Sequence, residues 1–322
     1  MDEQKSEGES IQVERLALQR QQRYDLMLDG YDRGIPVHVL VGTRHRPCLA
    51  LVAGVHGDEY DGVLTLHQVV REAATWSLEG TLIIVPVANP FAFAGAQRRT
   101  PDDDKDLNRV FPGARQGTLT DRLADRLCAD VLSGADLVFT LHGATASGIL
   151  APWIEFLEGG GTLEQKTREA AEASGFADLV ALPRLPGVLL TEMAGLGVPA
   201  VEGEVGGLGT TKGENVQYYK GRVKSIAQHI GVLRWSDGQS RCDRAHRIWH
   251  LQRINTSVGG IFLRSVELQQ RVRTGEVLGT ILDRDGKMVA EVRAPVDGLI
   301  GGYRVHVGVR SGDRLFTLWC EA

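Results

Sequence analysis

Apolar residues along this chain come in two rhythms. In roughly the first two thirds, short continuous apolar runs alternate with stretches whose apolar positions recur every three or four residues. The runs "YDLMLDG", "IPVHVLVGT", "CLALVAGV", "TLIIVPVA", "DLVFTLH" and "VPAVEGEV" predict strands, most of them buried on both faces. Between them, Glu59 to Thr75 carries Val63, Leu66, Val70 and Ala74 at helical spacing. A second helix is predicted from Leu119 to Leu132, with Leu119, Leu123, Leu127 and Val131 one turn apart and Thr118 as N-cap. "LEQKTREAAEAS" predicts a third helix, and Lys212 to Leu233 a last one. Apolar strands alternating with amphipathic helices indicate an α/β layer structure with a largely parallel sheet.

After about Trp235 helical periodicity stops. "DGQSRCDRAHR" reads as polar and turn-like, and from Trp249 onward short strands are punctuated by "GG", "RTGE", "DRDGK", "APVDG" and "RSGD". The expected organisation is a polar, loose or helical leader over residues 1–20, an α/β domain over 21–240, and a small all-β domain over 246–322. "GEVLGTILDRDGKMVAEVRAPVDGLI" resembles a lipoyl/biotinyl barrel hybrid. Lys287 precedes Ala294-Pro295 as a lipoylated lysine would, but the hairpin is longer than that pattern and its acidic flank is missing. Lys287 is therefore read as an ordinary hairpin residue.

Composition narrows the function classes. The chain has 322 residues, 43% hydrophobic and 24% charged, within the range of ordinary globular proteins. A net charge of −5 gives no basic footprint for nucleic acid. No apolar run approaches membrane-spanning length, and the first residues have no apolar stretch of signal-peptide type. Cys48, Cys128, Cys242 and Cys320 are scattered, without a CxxC, as expected of free thiols in a reducing cytoplasm.

The candidate chemistry sits where the apolar runs end. Open α/β sheets place ligands beyond the carboxyl ends of their strands. His56 and Glu59 follow "CLALVAGV", His142 closes "DLVFTLH", and Glu204 lies late in "VPAVEGEV". Two histidines and a carboxylate are a common ligand set for catalytic zinc, with a further position left for water. Glu204, outside that set, is the candidate general base, with Glu202 on the same strand face two residues before it. The loop "QRRTPDDDKDLNRVFPG" supplies Asn108 and Arg109 for a substrate carboxylate. It also supplies Arg98 or Arg99 to polarise a scissile carbonyl. Asp102, Asp103 and Asp104 read as a solvated turn. His67 reads as packing or surface, and His246, His250 and His306 receive no role.

"HGDE", "DLNRVFPG", "LHG" and "EVGG", in that order, resemble the succinylglutamate desuccinylase/aspartoacylase family, within the zinc carboxypeptidase-like fold. The resemblance runs over the whole chain and is nearest to bacterial N-acyl amino acid deacylases such as N-acetyl-diaminobutyrate deacetylases. It implies a mixed sheet flanked by helices with a small C-terminal β domain of barrel-sandwich type. It implies one Zn2+ per chain on His56, Glu59 and His142, Glu204 as base and acid, and Asn108 and Arg109 on the substrate carboxylate. The family's polarising arginine stands three residues before a proline, which favours Arg98, three before Pro101. One departure is visible: the family usually reads Asp-Leu-His where this chain has Thr140-Leu141-His142. The lost aspartate would be an outer partner of a ligand, not a ligand. The expected function is a cytoplasmic zinc amidohydrolase of small N-acyl amino acids, with no nucleic acid or membrane partner. The C-terminal domain would shield the site or form a homo-oligomer contact. The alternatives are a carboxypeptidase or amidase on a peptide or peptidoglycan fragment, and a non-catalytic metal-bearing binding protein.

Overall fold

The computed structural model describes residues 3–6, 11–28, 31, 34–234 and 245–321. Cys242 and most of the polar stretch around it lie outside these residues. Cys48, Cys128 and Cys320 are free thiols.

A twisted sheet runs through the chain. Its first half is built from β1 (Glu3–Ser6), β2 (Arg20–Leu26), β3 (Ile35–Val41), β4 (Cys48–Ala53), β5 (Thr81–Val85) and β6 (Leu137–His142). Its second half adds β7 (Gly148–Leu157), β8 (Asp178–Leu182), β9 (Ala200–Gly207) and β10 (Arg247–Asn255). Strands β5, β4, β6 and β9 lie side by side in parallel, and β7 pairs antiparallel to β9. Every side chain of β4 is buried, because both faces are covered. Leu49, Leu51 and Ala53 point into one core, and Cys48, Ala50 and Val52 into the other.

The helices are α1 (Tyr60–Glu72), α2 (Pro90–Ala94), α3 (Leu119–Arg126), α4 (Thr162–Ala173), α5 (Leu189–Gly195) and α6 (Gly213–His229). Helix α3 is shorter than the expected Leu119 to Leu132. Its continuation, Leu127–Leu132, widens into a π turn in which Ser133 N–H bonds to the Cys128 carbonyl. At its start, Asp121 accepts from the Thr118 N–H at 3.0 Å. Asp103 accepts from the Thr120 N–H at 2.9 Å, so this acid anchors the helix start where a solvated turn was expected. Two other expectations shift. Residues 3–6 form a strand and Val13–Arg15 a 3-10 turn, where a loose or helical leader was expected. Strand β2 starts at Arg20, earlier than its apolar half indicates, because its polar half pairs with β3 from Arg20 opposite Val41. The apolar stretch 148–157 contains Pro152 and still forms β7; the register shifts between Leu150 and Trp153, where a missing N–H is tolerated.

Beyond residue 245 the strands are β11 (Gly260–Arg264), β12 (Arg271–Val272), β13 (Val277–Leu282), β14 (Met288–Arg293), β15 (Gly298–Arg304), β16 (Gly308–Val309) and β17 (Arg314–Glu321). Strands β17, β15 and β12 continue the central sheet beyond β10, and β14, β13, β11 and β16 make a second sheet. A separate core of Ile254, Phe262, Leu278, Leu315, Phe316 and their neighbours lies among them. Lys287 sits in the exposed turn between β13 and β14, its N–H bonded to Asp283. No helix among the described residues is long and apolar enough to cross a membrane.

Candidate metal centre and active site

Three strand ends meet at one place. The chain leaves β4 through Gly54 at φ +64° and turns to His56. Gly57 lets this turn lie flat on α2: a Cβ there would stand 1.9 Å from the Ala92 carbonyl oxygen. Glu59 then occupies the N-cap position of α1. His142 is the last residue of β6, and its cross-strand neighbour on β9 is Glu204. One face of the sheet thus carries two rows of functional side chains across β6, β9 and β7. Thr140, Glu202 and Glu155 form one row, and His142, Glu204 and Trp153 the next. Apolar residues occupy this face lower down, at Val138 and Ala200.

The ring nitrogens converge. His56 Nδ1 lies 2.8 Å from Glu59 Oε1, and His142 Nδ1 lies 3.0 Å from Glu59 Oε2. The two Nδ1 atoms are 3.3 Å apart. All three side chains are buried, and among the described residues they form the one histidine–carboxylate group able to hold a metal ion. The fit to zinc can be tested on these distances. Bonds of about 2.0–2.1 Å in a tetrahedron give ligand–ligand edges of about 3.3–3.4 Å, and two imidazole nitrogens with one carboxylate are a catalytic zinc set. The spacing fits. The charge also fits a cation: burial would raise the Glu59 carboxyl and lower the His142 imidazole. The mutual charges win in both, holding Glu59 well below the carboxylate range and His142 up at about 9, with Glu202 the main cause for the latter.

Behind His56 stands Asp106, a residue the sequence reading quoted in "DLNRVFPG" but gave no role. Its Oδ1 lies 3.2 Å from His56 Nε2, and its Oδ2 accepts from Arg98 Nε at 2.9 Å. A carboxylate on the outer nitrogen fixes the ring and its tautomer. Arg98 also approaches Glu59 at 3.7 Å and faces the cavity, whereas Arg99 turns away to the Asp104 carbonyl. Asn108 is buried with its amide engaged: Oδ1 accepts from Leu189 N–H at 2.9 Å and Nδ2 donates to Glu202 at 3.3 Å. Arg109 is exposed at the cavity wall and donates to the Asn108 carbonyl. His67 is exposed on α1, away from these groups.

These groups line a cavity of about 340 Å³, in the range of small-molecule sites. Glu204 lines it too, and its Oε2 has no hydrogen-bond partner. Burial first, then the charges of Glu59, Glu155 and Glu202, push its carboxyl well above the ordinary range. The opposite wall comes from the C-terminal strands through Arg253, Tyr303, Arg304 and Arg314. Arg304 pairs with Asp313 at 3.3 Å, whereas the side chains of Arg253 and Arg314 make no hydrogen bond or ion pair among the described residues. Burial and then the neighbouring Arg253 and Arg98 lower Arg314 to about 10. None of these wall residues was visible in the sequence, since arginines in short strands carry no signal without the fold.

Glu155 was also missed, inside the apolar run of β7. Trp153 Nε1 donates to it at 2.9 Å, and burial followed by the Glu202 charge lifts it to about 7. Its folded pKa exceeds its unfolded one, so the folded state holds the extra proton. Its contribution therefore falls as pH rises from the ordinary carboxyl range to about 7. Glu155→Gln is expected to lie close to the native melting temperature at pH 4 and to exceed it by roughly 5–10 °C at pH 8. Melting curves at the two pH values check this; a pH-independent difference would contradict the assignment.

The model of the succinylglutamate desuccinylase/aspartoacylase catalytic domain matches residues 45–230. The chain belongs to this family. An N-alpha-acetyl-L-2,4-diaminobutyric acid deacetylase from Halomonas elongata is 27% identical over 294 residues, covering 88% of this chain and 85% of that protein. Among solved structures, a product-bound ectoine utilization protein from Ruegeria pomeroyi has a TM-score of 0.82 at 26% identity, covering 92% of this chain and 93% of that one. A succinylglutamate desuccinylase/aspartoacylase from Rhodobacter sphaeroides has a TM-score of 0.81 at 26% identity, covering 96% and 98%. The mixed α/β fold with its C-terminal β region is thus the family's fold.

Proposed function

We propose that this chain is a zinc-dependent amidohydrolase that removes a small acyl group from the nitrogen of an amino acid. The observation that carries the proposal is the convergence of His56, Glu59 and His142 beside Glu204 and Arg98 in one cavity. The similarity to a diaminobutyric acid deacetylase supports the reaction class. A zinc ion held by the three ligands would supply a Lewis acid and acidify a water molecule. Glu204, unpartnered and with a high proton affinity, takes the proton of the attacking water and delivers it to the departing amine nitrogen. The Arg98 guanidinium, anchored by Asp106, stabilises charge that develops on the carbonyl oxygen. Arg109 holds the substrate carboxylate, and Asn108 braces the loop that carries it. The C-terminal region 246–322 acts as a β domain that walls the cavity and keeps substrates small. The free thiols at Cys48, Cys128 and Cys320 suit a reducing compartment, and we place the enzyme in the cytoplasm.

The test is metal analysis followed by a panel of N-acetyl, N-succinyl and N-formyl amino acids, read by release of free amine. One zinc per chain and turnover of a preferred member are expected. Zinc without turnover of any member would overturn the substrate class, and absence of bound metal after zinc loading would overturn the chemistry. Arg253 and Arg314, whose side chains make no ion pair among the described residues, favour substrates with a second carboxylate within this panel. Arg314→Met is expected to raise KM for such a substrate about tenfold, the loss of one charge-assisted contact, and to leave kcat nearly unchanged. An equal effect on substrates without the second carboxylate would contradict that preference.

A further inference from the structure

His56 and His142 both turn Nδ1 toward Glu59, so each needs an acceptor for the proton on its outer nitrogen. For His56 that acceptor is Asp106. His142 Nε2 is buried and has no hydrogen-bond partner. The carboxylate that faces it is Glu202, whose Oε2 stands 3.6 Å away, just outside bonding distance. We propose that Glu202 is the positioning residue of His142: its carboxylate accepts a hydrogen bond from Nε2–H and so presents the Nδ1 lone pair to the metal. The inference rests on the metal reading above and adds a role that the sequence analysis left unassigned.

Three observations place Glu202 there for a reason other than chance. It lies directly opposite Thr140 across the β6–β9 ladder, on the sheet face that carries His142. Thr140 Oγ1 is 3.5 Å and Asn108 Nδ2 is 3.3 Å from the same Oε2, so two neutral donors steady the one oxygen that faces the imidazole. The chain has also moved a carboxylate sideways. Where the family resemblance calls for an aspartate, this chain has Thr140, and the acid stands on the neighbouring strand at the paired position. Positions 140 and 202 are cross-strand partners on one sheet face, and Thr140 Oγ1 lies 3.5 Å from the Glu202 carboxylate. The exchange thus accounts for a departure that otherwise leaves His142 unsupported. A buried carboxylate beside Glu155 is unfavourable for folding, so its presence asks for a function-related compensation.

The experiment measures zinc affinity of metal-free full-length protein by competition with a chromophoric chelator. Glu202→Thr is expected to weaken zinc binding about 10–100-fold, the usual effect of losing an outer partner of a ligand. The exchange variant Thr140→Asp/Glu202→Thr is expected to recover most of that loss. The metal-free melting temperature serves as the structural readout. Glu202→Thr loses the attraction to His142 and the repulsion from Glu155 together, so it should stay within a few degrees of the native value. Glu202→Gln, isosteric with the native side chain, provides a second folded variant and should show intermediate affinity. Unchanged affinity in Glu202→Thr and Glu202→Gln would overturn the inference, as would an exchange variant no better than the single one. Failure of the native protein to bind zinc would overturn the metal reading itself, a distinguishable outcome.

Discussion

Replacing Glu204 by glutamine is expected to lower kcat about 10³-fold, roughly 4 kcal/mol of transition-state stabilisation, and to leave zinc binding unchanged. The argument starts from place. Glu204 sits on β9 directly across from His142, lines the cavity, and is outside the ligand group. Its Oε2 has no hydrogen-bond partner among the described residues. A carboxylate fixed beside the ligands, but not spent on them, is placed to move a proton between water and leaving group. Burial and three neighbouring carboxylates raise its proton affinity, which is what a general base that must later act as an acid requires. Glutamine keeps the shape and removes a charge that Glu59, Glu155 and Glu202 repel. The variant should therefore fold at least as well as the native chain, and a lost rate cannot be charged to unfolding. Zinc content, melting temperature and amine release from an N-acyl amino acid, measured together, check the prediction. A Glu204→Gln protein with native kcat would move the base elsewhere, with Glu155 and Glu202 the nearest acids on that face.

The sequence was most informative where one constraint acted alone. Buried parallel strands such as β4 and β6 leave unbroken apolar runs, and a polar residue that ends such a run stands out; His142 is the clearest case. Helices α1 and α4 and the start of α3 show because their apolar stripe and caps are local. Strand β7 did not show, since Pro152 argues against a strand until the shift in register beside it is known. The pairing of Glu202 with Thr140 depends on which strands are neighbours and in what register. Thr140 and Glu202 are 62 residues apart in sequence, and no local pattern joins them.

The cavity wall illustrates the same limit from the other side. Arg253 lies on β10 and Arg314 on β17, paired strands that reach the site because β15 also pairs with the start of β7. His142, Glu202 and the C-terminal arginines therefore belong to one continuous sheet, and His56, Glu59 and Asp106 stand on the segments beyond its strand ends. The candidate ligand His142 ends a strand of its parallel part, and the antiparallel part supplies a wall of the cavity. Asp106 occupies an intermediate position. It was printed within the most recognisable motif of the chain, yet its link to His56 appears only when the loop closes on the strand end.

Removal of metal by a chelator is expected to abolish turnover and to lower the melting temperature by roughly 5–10 °C relative to zinc-loaded protein. The size follows from linkage: free zinc at a hundredfold its dissociation constant stabilises the folded state by about 2.7 kcal/mol, and each kcal/mol shifts a chain of this class by roughly 2–4 °C. The physical ground is charge. Glu59, Asp106, Glu202 and Glu204 crowd around two imidazoles in a buried site, an excess of negative charge that a dication offsets. His142→Ala removes one of the three ligands while leaving β6 intact, so zinc should no longer raise its melting temperature and its turnover should match the chelated protein. Restoring zinc to the chelated native chain should recover both readouts, and restoring it to His142→Ala should recover neither. A chelated protein that keeps full turnover, or a His142→Ala variant stabilised by zinc as strongly as the native chain, would show that these three residues are not the centre of the chemistry.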